Sequence, residues 1–126
     1  MKAGSLFDLT GKVVLVTGAS SGLGARFAQV AAANGAKAVL VGRRADRLAE
    51  VQRRIEADGG AALVVAADVT DTGTMPAAFD AAEAAFGTVD VLVANAGISA
   101  WGGLSQVTPA DWRRIMDTNL DAAIWW

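Results

Sequence analysis

The chain has 126 residues, of which 53% are apolar, and it carries a formal net charge of −2 with no cysteine and no histidine. This composition excludes a disulfide framework, thiolate or histidine metal ligands and a histidine-based catalytic triad, so we predict no metal site. The small negative charge gives no general attraction to nucleic acid, and no apolar run approaches the ~20 residues of a membrane span. We expect a cytoplasmic protein, since the start, MKAGSLFDLTGK, lacks the apolar core of a signal peptide.

Four short apolar runs predict the strands of a buried sheet. They cover residues 13–17, 38–41, 62–67 and 91–94 and are rich in valine, leucine and alanine, as expected of strands buried on both faces. Each run is followed by a helical pattern, so strand and helix alternate along the chain. That order implies right-handed crossovers and a parallel sheet.

Helices are predicted between these strands from apolar residues at helical spacing. The apolar residues at this spacing are Leu23, Phe27, Val30 and Ala31 in the first helix, Leu48, Val51 and Ile55 in the second, and Met75, Phe79, Ala82 and Phe86 in the third. Glycines follow each of these segments, at positions 35, 59 and 87, and are typical of helix ends.

A fourth helix is predicted after the last strand. Thr108 suits its N-cap, Pro109 its first position, and an acid stands at the third. We expect this helix to run to the end of the chain, and Trp101 and Trp112 to be packing residues. Its predicted inward-facing residues are Trp112, Met116 and Leu120.

The stretch TGASSGLG, at residues 17–24, joins the first strand to the first helix. Gly18 can form a sharp turn without a Cβ penalty, while Gly22 and Gly24 allow the backbone to approach a ligand and the helix to pack on its strand. The free N–H groups of the helix N-terminus then form an anion site that fits a pyrophosphate. The spacing differs from that of the nucleotide-triphosphatase loop, which needs a lysine after its last glycine. The alternative is a glycine-rich turn without a ligand.

The end of the second strand indicates which dinucleotide this loop would hold. A domain that binds NAD usually has an acid near this point, which accepts from the ribose 2′-hydroxyl. This chain has Gly42, Arg43 and Arg44 instead. Guanidinium groups clamp a 2′-phosphate, and the hydroxyls of Ser20 and Ser21 add phosphate contacts, so we predict NADP(H) in preference to NAD(H). The alternative is that the two arginines begin a solvated basic helix face.

With these features, the chain resembles the short-chain dehydrogenase/reductase family. TGASSGLG matches the family's cofactor motif, Asp68 and Val69 match its adenine-pocket pair, NAG at residues 95–97 matches its sheet-stabilising motif, and TNL at residues 118–120 places Asn119 at its catalytic asparagine. The resemblance covers nearly the whole chain. It implies a Rossmann-type doubly wound parallel sheet of the α/β class, and hydride transfer between a nicotinamide and a small carbonyl or alcohol substrate.

The resemblance assigns a role to each matched residue. Asp68 would accept from the adenine amino group, residues 95–97 would brace the sheet and line the nicotinamide ribose, and Asn119 would be catalytic. Each assignment has a purely structural alternative. Asp68 would only cap a turn, residues 95–97 would only form an ordinary turn, and Asn119 would be a core asparagine with its hydrogen bonds satisfied. The full set of predicted cofactor-binding residues is Gly18, Ser20, Ser21, Gly22, Leu23, Gly24, Arg43, Arg44, Asp68, Val69, Asn95, Ala96 and Gly97.

The chain departs from the family in its proton-transfer residues. The family uses a serine and a Tyr-x-x-x-Lys pair that follow the asparagine helix, and this chain has no tyrosine. Its lysines, Lys2, Lys12 and Lys37, are expected far from the carboxyl edge of the sheet. We therefore expect residues 1–126 to be a single NAD(P)-binding domain, truncated after its fourth strand–helix unit and inactive alone. It would belong to a longer reductase that forms a homo-oligomer. The alternative is a non-catalytic module that binds NADP(H) or a partner protein.

Overall fold

Four parallel strands form one sheet in the structure, a computed structural model that describes residues 3–100 and 102–126. Trp101 and Lys2 lie outside the described residues. The strands are β1 (Val13–Thr17), β2 (Lys37–Gly42), β3 (Ala61–Ala66) and β4 (Val91–Val93). Their spatial order is β3-β2-β1-β4. In the central register Leu15 of β1 lies opposite Val39 of β2 and Leu92 of β4. The predicted parallel sheet is confirmed.

Helices alternate with these strands as predicted. The main ones are α2 (Gly22–Ala33), α3 (Ala45–Ala57), α4 (Thr74–Phe86) and α5 (Pro109–Met116). A short α1 (Ala3–Leu6) precedes β1 and was not predicted. The predicted cap of α5 is confirmed: Thr108 and Asp111 form a reciprocal capping box with a proline at the first helical position. Within the described ranges, no helix is long and apolar enough to cross a membrane.

The sheet is covered on both faces, which makes it doubly wound. On one face Val14 and Val16 of β1 pack in the same cluster as residues of α2 and α3. On the other face Val13 and Leu15 pack with residues of α4. The side chains of β1 alternate between these two clusters, and all five of its residues are buried. The central strand is thus fixed from both sides, and its carboxyl end is a rigid base for the loops that follow.

The face of α2 that packs on the sheet is lined by small residues and not by its large apolar side chains. Its buried residues are Gly24, Ala28, Ala31 and Ala32. Leu23, Phe27 and Val30 are 69%, 43% and 44% exposed. Of the predicted repeat, only Ala31 faces the core. Small residues let α2 approach the sheet closely, in keeping with the dense packing of protein interiors.

The fourth helix also differs from its prediction. It is interrupted after α5 by a π-helical segment (Asp117–Asp121) and ends as α6 (Ala122–Trp125). Trp112 and Leu120 were predicted to point inward, but they are 59% and 46% exposed, so that prediction was wrong. The strand β4 next to this helix is an edge of the sheet, and its Val91 and Leu92 are more than one-third exposed. The apolar periodicity therefore predicted the helix correctly but did not predict which of its faces is buried.

Candidate active site

A cleft of about 730 Å³ lies at the carboxyl edge of the sheet. It is bordered by the segments that follow all four strands, together with one side of α5 and the π-helical segment. In open α/β sheets ligands bind at this edge, where the strand order reverses on either side of β1. The lining residues are Gly18, Ser20, Ser21, Gly42, Arg43, Arg44, Ala67, Asp68, Val69, Thr70, Asn95, Ala96, Gly97, Ile98, Ser99, Arg114 and Thr118.

The glycine loop is packed tightly against the end of β4. A Cβ on Gly24 would lie 2.5 Å from Asn95 Nδ2 and even closer to the carbonyl oxygen of Gly18. Gly18 has a φ of +67°, and a Cβ there would lie 2.8 Å from the Cα of Ala96. Both positions therefore require glycine for steric reasons.

The outer side of the same loop is open. A Cβ on Gly22 would have no heavy atom within 4 Å, although its φ of +56° favours glycine. Ser21 is the N-cap of α2, and its side chain makes no capping hydrogen bond. The N–H groups of the first helical turn have no partner within the helix. This combination of a close inner packing and an open N-terminus suits an anion such as a pyrophosphate.

Arg44 is held against the glycine loop. Its Nη2 donates to Ser20 Oγ at 3.0 Å and to Ser21 Oγ at 2.9 Å. Each hydroxyl accepts from the guanidinium and keeps its own proton to donate elsewhere. Arg43 lines the same cleft, and its side chain is 70% exposed. Two guanidinium groups and two hydroxyls therefore border the cleft beside Gly42, and none of residues 42–44 at the end of β2 is acidic.

Asp68 both caps a turn and faces the cleft. Its Oδ1 accepts from Thr70 N at 3.0 Å and from Thr70 Oγ1 at 2.7 Å, while Oδ2 lies 3.9 Å from Nη1 of Arg43. The backbone and hydroxyl of Thr70, and then the charge of Arg43, lower the pKa of Asp68. The carboxylate is therefore ionised at neutral pH, with Oδ2 available to accept from a ligand. Oδ1 thus caps the turn, as the structural alternative expects, and Oδ2 faces the cleft.

Thr17 joins the end of β1 to the segment after β4. It is buried, 3% exposed, and its Oγ1 accepts from the backbone N–H groups of Asn95 and Ala96 at 3.0 and 3.1 Å. The side-chain amide of Asn95 donates in return to the Thr17 carbonyl oxygen at 3.0 Å. These bonds extend the connection between the two strands beyond the last paired residues of β4. They position residues 95–97 along the cleft.

Asn119 is anchored to the backbone of the neighbouring loop. Its Oδ1 accepts from Ile98 N at 2.8 Å, and its Nδ2 donates to Ile98 O at 2.9 Å. The side chain therefore satisfies both its donor and its acceptor, and it secures the loop after Gly97 to the π-helical segment. Asn119 is not among the residues that line the cleft, although its neighbour Thr118 and its bonding partner Ile98 are.

The structure places the predicted residues in two groups. Most of the predicted cofactor residues line the cleft, including both arginines, both serines and residues 95–97. The exceptions are Gly22, Leu23 and Gly24, which form the start of α2; the Leu23 side chain points into solvent. Lys12 and Lys37 lie at the amino ends of β1 and β2, as predicted, at the edge opposite the cleft.

Sequence reasoning missed several residues of the cleft. Thr70 and Ser99 continue loops that were already identified, so their inclusion needs only one or two more positions. Arg114 and Thr118 come from a different element and were not predicted. Their spacing of four residues places them on one helical face, but nothing in the sequence shows that this face borders the cleft.

Comparison with known proteins places this geometry in a family. The sequence model for short chain dehydrogenase matches residues 12–126. The chain is 44% identical, over 114 residues, to 3beta-hydroxysteroid dehydrogenase 1 of Eggerthella lenta, covering 90% of this chain and 44% of that protein.

Solved structures agree with this match. A short-chain type dehydrogenase/reductase from Mycobacterium marinum superposes with a TM-score of 0.93 at 34% identity, covering 99% of this chain and 51% of that one. A metagenomic short-chain oxidoreductase in complex with NADP has a TM-score of 0.86 at 39% identity, covering 94% and 54%. The chain thus spans about half the length of the relatives it matches. Its sequence and its fold show that it belongs to the short-chain dehydrogenase/reductase family of oxidoreductases.

Proposed function

We propose that residues 1–126 form one dinucleotide-binding domain of an oxidoreductase that uses NADP(H) in preference to NAD(H). The observation that carries this proposal is the meeting of Arg43, Arg44, Ser20 and Ser21 at one end of the cleft, beside Gly42. Donors of this kind recognise a 2′-phosphate, whereas a carboxylate at this position would favour a 2′-hydroxyl. The NADP complex of the metagenomic relative supports the same proposal.

The donor set of the cleft fits the whole dinucleotide. The start of α2, with its open side at Gly22, would hold the pyrophosphate. Asp68 Oδ2 would accept from the adenine amino group beside Val69. The backbone of residues 95–97 would line the nicotinamide ribose, and Asn119 would fix the adjoining loop. When bound, the cofactor supplies the hydride that this family exchanges with a carbonyl or alcohol.

The arginine contacts lead to a test of cofactor choice. We expect Arg43→Ala and Arg44→Ala each to weaken NADPH binding about tenfold, the effect of losing one charge-assisted hydrogen bond of ~1.5 kcal/mol. NADH binding should change little, because its ribose carries no phosphate. Tryptophan fluorescence titrations with the two cofactors measure both affinities.

A matched control for this test is Arg53→Ala on α3. It removes the same charge from a side chain whose Nε is bonded to the Ala49 carbonyl oxygen and which does not line the cleft. Its NADPH affinity should equal that of the wild type. An equal loss of NADPH and NADH affinity in the Arg44 variant would contradict a 2′-phosphate contact and indicate a structural role for the arginine.

We further propose that the 126-residue chain binds cofactor without reducing a substrate. The family's general acid is a tyrosine, and these 126 residues contain none. The small carbonyl or alcohol substrate, the homo-oligomeric state and the cytoplasmic location belong to the proposed longer reductase. A carbonyl-dependent loss of NADPH absorbance with the purified chain would contradict this part of the proposal.

A non-catalytic binding module is the second candidate. The exposed edge strand β4 and the exposed apolar residues of α2 favour it, because unpaired strands and apolar patches pair with other polypeptide segments. This candidate includes a module that binds NADP(H) without catalysis, so NADPH binding alone does not exclude it. A chain that stays monomeric and forms no stable complex with another polypeptide would count against partner binding, whereas a stable complex would support it.

A further inference from the structure

Arg114 is a charged residue of the cleft wall to which the contacts proposed above give no role. It lies on α5 and lines the cleft together with Thr118. Its Nη2 is 3.5 Å from Asp111 Oδ1, and the side chain is 64% exposed. Asp111 uses its other oxygen, Oδ2, to accept from Thr108 Oγ1 at 2.7 Å as part of the helix cap. The ion pair with Asp111 is therefore long and leaves the guanidinium loosely held.

The neighbouring arginine on α5 is similarly exposed but differs in its ion pairs and in its position relative to the cleft. Arg113 donates to Asp117 Oδ1 at 2.8 Å and to Asp121 Oδ2 at 2.9 Å. It does not line the cleft. Two adjacent guanidinium groups thus have different surroundings: one is fixed by short ion pairs along the helix, and the other faces the open cleft.

The packing of the chain end places Thr118, one turn from Arg114, beside Val69. Thr118 lies one turn after Arg114 and donates from Oγ1 to its carbonyl oxygen at 3.0 Å. Thr118 and Val69 line a small pocket in common, and Trp126 Nε1 donates to the Val69 carbonyl oxygen at 3.1 Å. Residues four apart share a helical face, so Arg114 lies above Thr118 at the end of the cleft that Val69 and Thr70 border.

We propose that Arg114 closes this end of the cleft and stacks its guanidinium on the purine ring of the cofactor. The inference rests on the proposed function, which places the adenine beside Asp68 and Val69. A guanidinium is planar, delocalised and weakly hydrated, and it stacks on aromatic rings. Arg114 thereby binds the purine from the α5 side of the cleft, opposite the contacts that recognise the amino group and the 2′-phosphate.

The test separates the two halves of the cofactor. The probes are 2′,5′-ADP, which contains the purine and the 2′-phosphate, and reduced nicotinamide mononucleotide, which contains neither. We expect Arg114→Ala to weaken 2′,5′-ADP and NADPH binding roughly fivefold, as for a partly exposed cation–π contact. Binding of the mononucleotide should not change. The matched control, Arg113→Ala, removes the same charge from the same helix and should leave all three affinities unchanged.

Salt distinguishes stacking from attraction to a phosphate. The fivefold ratio between wild type and Arg114→Ala should persist between about 0.05 and 0.5 M salt, since screening acts mainly on exposed charge pairs. A ratio that falls to one at high salt would overturn the proposal, as would an unchanged affinity for 2′,5′-ADP or an equal loss with the mononucleotide. If the wild-type chain binds neither NADPH nor 2′,5′-ADP, the proposed function fails, and the inference fails with it. Circular dichroism melting checks that both variants fold.

Discussion

Gly24→Ala is expected to abolish NADPH binding and to lower the free energy of unfolding by about 2–3 kcal/mol. The added Cβ would lie 2.5 Å from Asn95 Nδ2 and closer still to the Gly18 carbonyl oxygen. Neither neighbour is a flexible chain end: one is backbone and the other is bonded to the Thr17 carbonyl oxygen. The start of α2 would have to move away from β4. Urea unfolding and a NADPH titration measure the two effects.

The control for this substitution is Gly4→Ala in α1. A Cβ on Gly4 would meet no heavy atom within 4 Å, and the residue lies in a helix as Gly24 does. We expect this variant to retain wild-type stability and NADPH affinity. If Gly24→Ala behaves like Gly4→Ala, the close packing of the glycine loop against Asn95 does not determine the site.

Thr17→Val should lower the free energy of unfolding by about 2 kcal/mol and weaken NADPH binding at the same time. Valine has nearly the shape of threonine, but it leaves the backbone N–H groups of Asn95 and Ala96 without their acceptor. An unpaired buried donor costs ~1–3 kcal/mol, and these two donors are only partly buried. Because residues 95–97 line the cleft, their loosening should reduce affinity as well as stability.

Thr17→Ser separates the hydroxyl from the methyl group. Serine keeps the acceptor oxygen and removes one buried methyl, which costs about 1 kcal/mol. Its NADPH affinity should stay close to that of the wild type. Denaturant midpoints and titrations of both variants provide the comparison, and equal affinities for the valine and serine variants would show that the hydroxyl does not hold the end of β4 in place.

The sequence predicted the order of elements because each segment carries its own local signal. The short apolar runs, the helical spacing, the Thr108 cap and the glycines at helix ends depend on neighbours along the chain. All four strands lie at or within one residue of their predicted bounds. Local signals also allowed most of the residues of the cleft to be predicted. In a parallel sheet, the loops after successive strands meet at one edge, so Gly18, Arg44, Asp68 and Asn95 could be grouped from their positions alone.

The directions of helix packing could not be predicted in this way. Leu23, Phe27 and Val30 form an apolar stripe on α2, yet the helix buries its alanines against the sheet. Which face is buried depends on how closely helix and sheet approach, a property of the assembled layers. Arg114 was missed for a related reason: only the packing of the chain end on Val69 brings its face of α5 to the cleft.

The ionised state of Asp68 adds a pH dependence to the proposed site. Its hydrogen bonds with Thr70, and then the charge of Arg43, lower the pKa of its carboxyl group in the folded chain. The stabilisation from these contacts is therefore present above the ordinary pKa of an aspartate and is lost as the pH falls through the lowered value. At neutral pH the carboxylate is therefore ionised and can act as the proposed acceptor for the adenine amino group.

The most direct test of the central claim is a titration of the purified 126-residue chain with NADPH and with NADH at neutral pH, in one buffer. Energy transfer from the tryptophans to the reduced nicotinamide reports binding, and sedimentation confirms that the chain is not aggregated. We predict saturable NADPH binding, with NADH at least about tenfold weaker for lack of a 2′-phosphate contact. A folded, unaggregated chain that binds neither cofactor, or that binds NADH as tightly as NADPH, would contradict the claim.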